Sequence, residues 1–160
     1  MNSTFNVGVV GYRGSGKTTL CYRLMGIDPP QKPNGTTSLD YMTCNWDNKH
    51  TILAWDFTPG VSPHTQEHIN DMQCIVLCCD GRNNRSSVSA LQFLSTCTPP
   101  VVVALTRMTP LTWCIPLFFA DIGRLAKSPP VLPCYNSADA LIAHITERFL
   151  KHSRILVAPL

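Results

Sequence analysis

The segment from Gly11 to Thr18 (GYRGSGKT) constrains the fold more than any other part of the sequence. It matches the pattern G-x-x-x-x-G-K-[ST] and lies between a β-branched run, Phe5–Val10, and a segment with helical spacing, Thr18–Met25. Glycines in this arrangement let successive backbone N–H groups converge on an anion, and the helix start adds its positive dipole end. The segment therefore predicts a phosphate-binding loop between a buried strand and a helix.

The polar residues of this loop have distinct predicted roles. Lys17 supplies a mobile positive charge for the β- and γ-phosphates, and the hydroxyl of Thr18 is a ligand for Mg²⁺. Asp56 follows the apolar run at residues 52–55 and is the predicted second magnesium ligand. The residues predicted to surround the phosphates are Gly11, Gly14, Ser15, Gly16, Lys17, Thr18 and Thr19.

The rest of the sequence alternates strand and helix patterns, which is typical of a mostly parallel sheet covered on both faces. Leu39–Trp46 and Thr51–Phe57 flank Asp47-Asn48-Lys49 and predict a hairpin that adds one antiparallel edge strand. Further strands are predicted at Cys74–Cys79, Val101–Leu105 and Val131–Tyr135, and helices at Val88–Leu94 and Ala138–Leu150. We therefore expect a three-layer α/β domain with a six-stranded sheet.

Composition narrows the class of protein. The 160 residues fit a single domain, residues 1–160, and the net charge of +3 is too small to indicate a nucleic-acid partner. Eight cysteines without a CxxC pair, most of them in apolar runs, favour buried thiols in a reducing cytoplasm over zinc or disulfides. The sequence shows no transmembrane segment or lipidation motif, so no membrane anchor is expected.

Taken in order, the phosphate loop, the loop Gly35-Thr36-Thr37, the hairpin and the pair Asp56…Gly60 resemble the small GTPases, both Ras-like and Era-like. The resemblance covers nearly the whole chain and implies a P-loop G domain that binds GTP or GDP with Mg²⁺. It also implies that Thr36 or Thr37, with Thr37 preferred, completes the magnesium shell when a γ-phosphate is present, and that the Gly60 amide contacts that phosphate.

The sequence departs from this family around the γ-phosphate. Phe57 adds one residue between Asp56 and Gly60, and we expect it to bulge the strand end. Val61 stands where Ras-like enzymes place a glutamine that orients water, so His64 or Gln66 is the candidate substitute. Arg13 either acts in cis on the developing charge or points to solvent, and these departures together predict slow turnover.

The base-reading motif also departs from the family. Thr106-Arg107-Met108-Thr109 follows a predicted strand where the family has [Asn/Thr]-Lys-x-Asp, and Thr109 lacks the carboxylate that accepts two hydrogen bonds from guanine. Losing such an acceptor costs about 2–4 kcal/mol of discrimination. Thr106, Arg107, Ser137 and Ala138 remain the candidate base-binding residues, the last two because they resemble the family's Ser-Ala-Lys loop.

Three functions stay open from the sequence. The first is a guanine-nucleotide switch with slow hydrolysis, and the second is a catalytically dead scaffold of the same fold. The apolar segment around Trp113–Phe119 predicts a surface for a protein partner in either case. The third, a P-loop kinase, requires an arginine-bearing lid, which the scattered arginines do not form.

Overall fold

The computed structural model of the chain describes residues 3–31, 40–45, 50–57, 63–107, 129–134 and 137–150. Several predicted features lie outside these residues: Thr36, Thr37, Gly60, Thr109 and the segment Trp113–Phe119. Their assignments remain predictions.

The first half of the chain contains three strands and two helices among its described residues. They are β1 (Ser3–Gly11), α1 (Lys17–Leu24), β2 (Asp40–Asn45), β3 (His50–Asp56) and α2 (Pro63–Asn70). The second half contributes β4 (Cys74–Asp80), α3 (Asn84–Thr96), β5 (Val101–Arg107), β6 (Val131–Pro133) and α4 (Asp139–Ile145). The last helix continues as a π-helical turn, Thr146–Leu150.

Within the described residues the six strands form one sheet in the order β2-β3-β1-β4-β5-β6. Strand β2 pairs antiparallel with β3, and the other four pairings are parallel. The sheet is therefore mostly parallel with one antiparallel edge strand, which confirms the predicted fold class. Because β1 and β4 are central and parallel, their carboxyl ends meet at the same edge, where the phosphate loop begins.

Two hydrophobic clusters lie on opposite faces of the sheet. Helices α1 and α4 pack on one face through residues such as Leu20 and Leu141, while α2 and α3 pack on the other through residues such as Ile69 and Ala90. Strand β4 is buried along its whole length and its side chains alternate between the two clusters. This alternation is the period-2 geometry of a strand covered on both faces, and it gives the three layers.

Helix α2 has no counterpart among the sequence predictions, and α3 is longer than predicted. α3 begins four residues before Val88 because Asn83 caps it, its side-chain oxygen accepting a hydrogen bond from the Arg85 backbone N–H at 3.0 Å. α2 begins with Pro63 at its first position, which suits the fixed φ of proline.

The bulge expected at Phe57 is absent from the described end of β3, and this expectation was wrong. The β1–β3 ladder is regular through the pair Val9↔Asp56, and the Phe57 N–H donates to Val9 O at 3.0 Å. The Phe57 side chain is 1% exposed and joins the cluster beneath α2 and α3. The added residue therefore makes one further backbone hydrogen bond to β1 beyond the end of β3, and its side chain fills the core.

The structure describes the side chains of six cysteines, and all six are free thiols. Five are buried, and burial raises the pKa of Cys74 to about 12 and that of Cys134 to about 11. These two thiols are therefore protonated at neutral pH. The buried cysteines pack as small apolar groups, as predicted. Among the described residues, no helix combines the length and apolar character needed to cross a bilayer.

Candidate functional site

The loop between β1 and α1 has the backbone that the glycine pattern predicts. Gly11 has a φ of +152°, and a Cβ at this position would lie 2.5 Å from Cys78 O and 2.7 Å from Ser15 Oγ. Gly16, the residue that precedes α1, has a φ of +90°. Gly14 has a φ of +75° and is exposed. Glycine is required at position 11 because the neighbouring atoms leave no room for a Cβ, and it is favoured at position 16 because the backbone there is left-handed.

Lys17 is buried beneath this loop, with 4% of its surface exposed. Its Nζ donates to Tyr12 O at 3.2 Å, so the ammonium lies against the loop. Burial lowers the pKa of Lys17 below its usual range, although the nearby Asp56 carboxylate acts in the opposite direction. A buried ammonium whose charge is penalised by desolvation is a group that gains from a bound anion.

Thr18 and Asp56 lie together beside the lysine. The Thr18 hydroxyl donates to Asp56 Oδ2 at 2.5 Å, and Asp56 is buried at the end of β3. This contact also identifies Asp56, rather than Phe57, as the residue at the end of β3 that faces the loop. A hydroxyl and a carboxylate are hard oxygen donors, and Mg²⁺ is commonly held by one or two such groups together with substrate phosphates. The pair therefore fits the magnesium ion that the sequence predicts.

The Ser15 side chain completes the loop interior. It is fully buried, and its Oγ is one of the buried side-chain oxygens without a hydrogen-bond partner in the described part of the chain. A buried hydroxyl without a hydrogen-bond partner destabilises the folded state. Such groups are typical of sites where a ligand or a water molecule supplies the partner.

Thr106 connects β5 to the loop between β1 and α1. The β4–β5 register shifts between Cys79, opposite Leu105, and Asp80, opposite Arg107, so Thr106 is the extra residue of a bulge. Its hydroxyl donates to Ser15 O at 2.5 Å and lies 3.3 Å from Cys79 O. The bulge thus aims one hydroxyl at the loop that the sequence assigned to the phosphates.

Arg107, at the end of β5, forms an ion pair with Asp80. Its Nη1 lies 3.6 Å from Asp80 Oδ2, and Arg82 holds both oxygens of the same carboxylate through Nε and Nη2, each at 3.1 Å. Burial by itself would raise the pKa of Asp80, but the Arg82 hydrogen bonds and the Arg107 charge outweigh it and hold the pKa below its usual range. Asp80 is therefore an ionised anchor for two arginines.

Thr19 and Arg107 line a pocket of about 130 Å³ next to the loop, together with Gly16, Arg23 and Thr106. Cys134, the residue directly after the end of β6, also lines this pocket. The structure thus brings sequence-predicted residues from both groups, phosphate-binding and base-binding, to one end of the sheet.

The start of α4 holds the last predicted base-binding residues. Ser137 is exposed and its Oγ accepts a hydrogen bond from the Asp139 N–H at 3.3 Å, while Ala138 is buried. Asp139 lies in the first turn of α4, where a negative charge suits the helix dipole. Asp139 therefore has a local structural role at the start of α4.

The predicted catalytic side chains differ in placement. Arg13 is exposed on the loop. Gln66 donates from Nε2 to Asn70 Oδ1 at 3.1 Å, and Thr98 Oγ1 also donates to that oxygen at 3.1 Å, so Gln66 is held along α2. His64 belongs to α2, but its side chain lies outside what the structure describes.

Sequence reasoning missed Asp80 and Arg82 as part of this site. The available signal was weak: an acidic residue at the carboxyl end of a buried apolar strand, followed by glycine and arginine. In a parallel sheet such residues meet the ends of neighbouring strands, where ligands bind.

No protein-family model and no curated protein matches the chain. Solved structures do match. One is Era in complex with MgGDPNP and nucleotides 1506–1542 of 16S ribosomal RNA, with a TM-score of 0.70 and 18% sequence identity. Another is a single-residue variant of Aquifex aeolicus Era bound to GDP.AlF4⁻, with a TM-score of 0.69 and 19% identity. Each match covers 92% of this chain but 57% of the Era chain. Together with the sheet order and the loop, these matches show that the chain adopts the fold of a P-loop G domain, as Era does.

Proposed function

We propose that this chain binds a guanine nucleotide with Mg²⁺ at the loop between β1 and α1 and hydrolyses GTP slowly. The observation that carries the proposal is the buried Lys17 ammonium beside the Thr18–Asp56 pair. A magnesium-bound polyphosphate requires a cation, hard oxygen ligands for the metal and backbone N–H groups at a helix start. The loop between β1 and α1 provides all three.

The solved Era structures support the nature of the ligand. One contains MgGDPNP and the other GDP.AlF4⁻, so guanine nucleotides are bound by proteins with this fold. For this chain we assign Gly11, Gly14, Ser15, Gly16, Lys17, Thr18 and Thr19 to the phosphates. Thr106, Arg107, Ser137 and Ala138 are assigned to the base, and Thr18, Thr37 and Asp56 to Mg²⁺.

The proposed reaction is attack of water on the γ-phosphorus, which breaks the bond to the β-phosphate oxygen and releases GDP and phosphate. Stabilisation of the developing charge would come mainly from Lys17 and Mg²⁺, with Gly60 and Arg13 as further candidates. Gln66 is hydrogen-bonded along α2, and Val61 has no group that orients water. His64 remains a candidate for that role, and we expect turnover to be slow.

We further propose that the protein acts through a protein partner at the apolar surface around Trp113–Phe119 and works in the cytoplasm, where free thiols persist. We propose no nucleic-acid partner, because the net charge of +3 is small.

The deciding experiment is thermal unfolding with GTP, GDP, ATP and ADP, each with and without Mg²⁺. A nucleotide present at about 100 times its Kd stabilises the folded state by about 2.7 kcal/mol, which is a visible rise in Tm. We expect this rise with GTP and GDP, and its loss in Lys17→Ala. Arg85→Ala removes an exposed cation from α3 and serves as the matched control.

The changes in Tm decide between nucleotide binding and the scaffold function. A rise that Lys17→Ala abolishes and Arg85→Ala retains supports the proposal. If no nucleotide changes Tm, the binding proposal is wrong and the scaffold function gains support. Single-turnover hydrolysis as fast as in partner-activated GTPases would contradict the slow reaction.

A further inference from the structure

The pocket beside the phosphate loop is lined by hydrogen-bond donors. Arg23 and Arg107 are among its described lining residues, and none of these residues carries a carboxylate. A guanidinium has five N–H donors and no acceptor, so it favours the part of a base that presents acceptors. The 6-oxo and N7 atoms of a 6-oxopurine are such acceptors, whereas adenine presents an amino group at the 6 position.

Asp80 is the described carboxylate that contacts Arg107, and it is already engaged. Its Oδ1 accepts from the Arg82 backbone N–H at 3.0 Å and from Arg82 Nε at 3.1 Å, while Oδ2 accepts from Arg82 Nη2. Asp80 therefore positions Arg107 and has little capacity to accept hydrogen bonds from a base. The sequence offers no acid two residues beyond Arg107, where Thr109 stands.

Thr106 supplies no charged acceptor either. Its hydroxyl donates its one proton towards Ser15 O and Cys79 O, so only neutral lone pairs remain on this oxygen. The N1–H and 2-amino donors of guanine consequently meet no charged acceptor among the described residues that line the pocket.

We propose that this pocket selects its nucleotide by the 6-oxo edge of the purine, with Arg107 as the specificity-determining residue and Asp80 as its positioning residue. Guanine and hypoxanthine nucleotides then bind alike, because the 2-amino group is not read, and adenine nucleotides are rejected. This inference rests on the proposed nucleotide binding and names the substrate class more broadly than guanine alone.

The test is displacement of a fluorescent GDP analogue by four unlabelled diphosphates in the full chain with Mg²⁺. GDP and IDP, which differ only in the 2-amino group, should displace it within about fivefold of each other, the range of an unread substituent. ADP and 2-aminopurine riboside diphosphate lack the 6-oxo group and should be weaker by roughly 10- to 100-fold, as for one lost bidentate base contact.

Each variant is assessed by the ratio of its affinities for two nucleotides. This ratio reports specificity, because a general loss of folded protein affects both affinities alike. Arg107→Gln should bring the GDP-to-ADP ratio close to one, whereas Arg82→Gln, which alters the same Asp80 anchor outside the pocket lining, should retain most of it.

The outcomes distinguish this inference from the proposed function. If the wild-type chain prefers GDP over IDP by more than about 30-fold, a carboxylate-like acceptor is present and the inference is overturned. Equal displacement by ADP, or an unchanged GDP-to-ADP ratio in Arg107→Gln, overturns it as well. If the fluorescent nucleotide does not bind at all, the failure is that of the proposed nucleotide binding.

Discussion

The two sides of the candidate site are built in different ways. On the phosphate side, the loop from Gly11 to Lys17 is defined by backbone conformation, and its lysine is 4% exposed. On the side that we propose binds the base, called the base side below, Asp80, Arg82 and Arg107 meet through their side chains, and the two arginine side chains are 45% and 47% exposed. The phosphate side keeps the full motif, whereas the base side departs from it.

The difference shows which kind of site can change without loss of the fold. A loop that needs left-handed backbone and close approach to a neighbouring strand admits few substitutions, because each one costs strain or a clash. A site assembled from exposed side chains can exchange its charged groups and alter ligand choice while the strands stay in place. Substitutions on each side should therefore have different effects.

The largest effect on stability is expected at the start of the loop. Gly11→Ala places a Cβ 2.5 Å from Cys78 O, so the free energy of unfolding should fall by about 2–4 kcal/mol. Gly14→Ala is the matched control, since its Cβ meets no atom within 4 Å and only the left-handed conformation costs about 1–2 kcal/mol. Urea unfolding of both variants measures the difference, and equal losses would contradict the close-approach argument.

A smaller effect is expected where the two sides meet. Thr106→Val keeps the shape but removes the hydroxyl that donates to Ser15 O, which leaves a buried carbonyl without this partner. We expect a loss of about 1–3 kcal/mol in urea unfolding. Thr106→Ser retains the hydroxyl and should recover most of the loss; a serine variant as unstable as valine would assign the effect to packing instead.

Removal of the buried charge should act in the opposite direction. Lys17→Met eliminates an ammonium whose pKa is lowered mainly by burial, so the nucleotide-free protein should gain about 1 kcal/mol of unfolding free energy. The same variant should lose the nucleotide-induced rise in Tm. Arg85→Met, at an exposed position of α3, should leave the free energy of unfolding nearly unchanged. A destabilised Lys17→Met would show that the ammonium stabilises the empty loop.

The smallest effect belongs to the exposed side and depends on pH. The pKa of Asp80 lies below its ordinary value of 3.8, so its ionised form stabilises the fold above that pH, and this contribution is lost as pH falls through the lowered pKa. The stability difference between wild type and Asp80→Asn should therefore shrink in acid below about pH 4. A difference that stays constant from neutral pH to about pH 2 would argue against the ionised anchor.

The strands and the helices next to strong motifs were predictable, whereas α2 was not. The segment of α2 has one large buried apolar residue, Ile69, so it lacks the repeated apolar spacing that indicates a helix. Pro63 at the first position was the one local signal. The extent of α3 followed from Asn83, a capping residue that apolar spacing alone does not reveal.

The candidate site was predictable to the extent that local motifs define it. The loop, Lys17 and the pairing of Thr18 with Asp56 follow from residues whose family pattern is written in short, recognisable segments. Arg107 was identified as a base-side residue, but its contact with Asp80 was not, because the two residues lie on different strands.

By itself, the sequence determined the alternation of strands and helices, the glycine loop and the residue types around it. These are local properties that arise from backbone sterics and from the periodicity of apolar side chains. The tertiary structure alone decided that Phe57 is buried rather than bulged, that the bulge lies at Thr106, and that Asp80 joins two arginines. These outcomes depend on strand register and on contacts between distant segments, which only the assembled sheet defines.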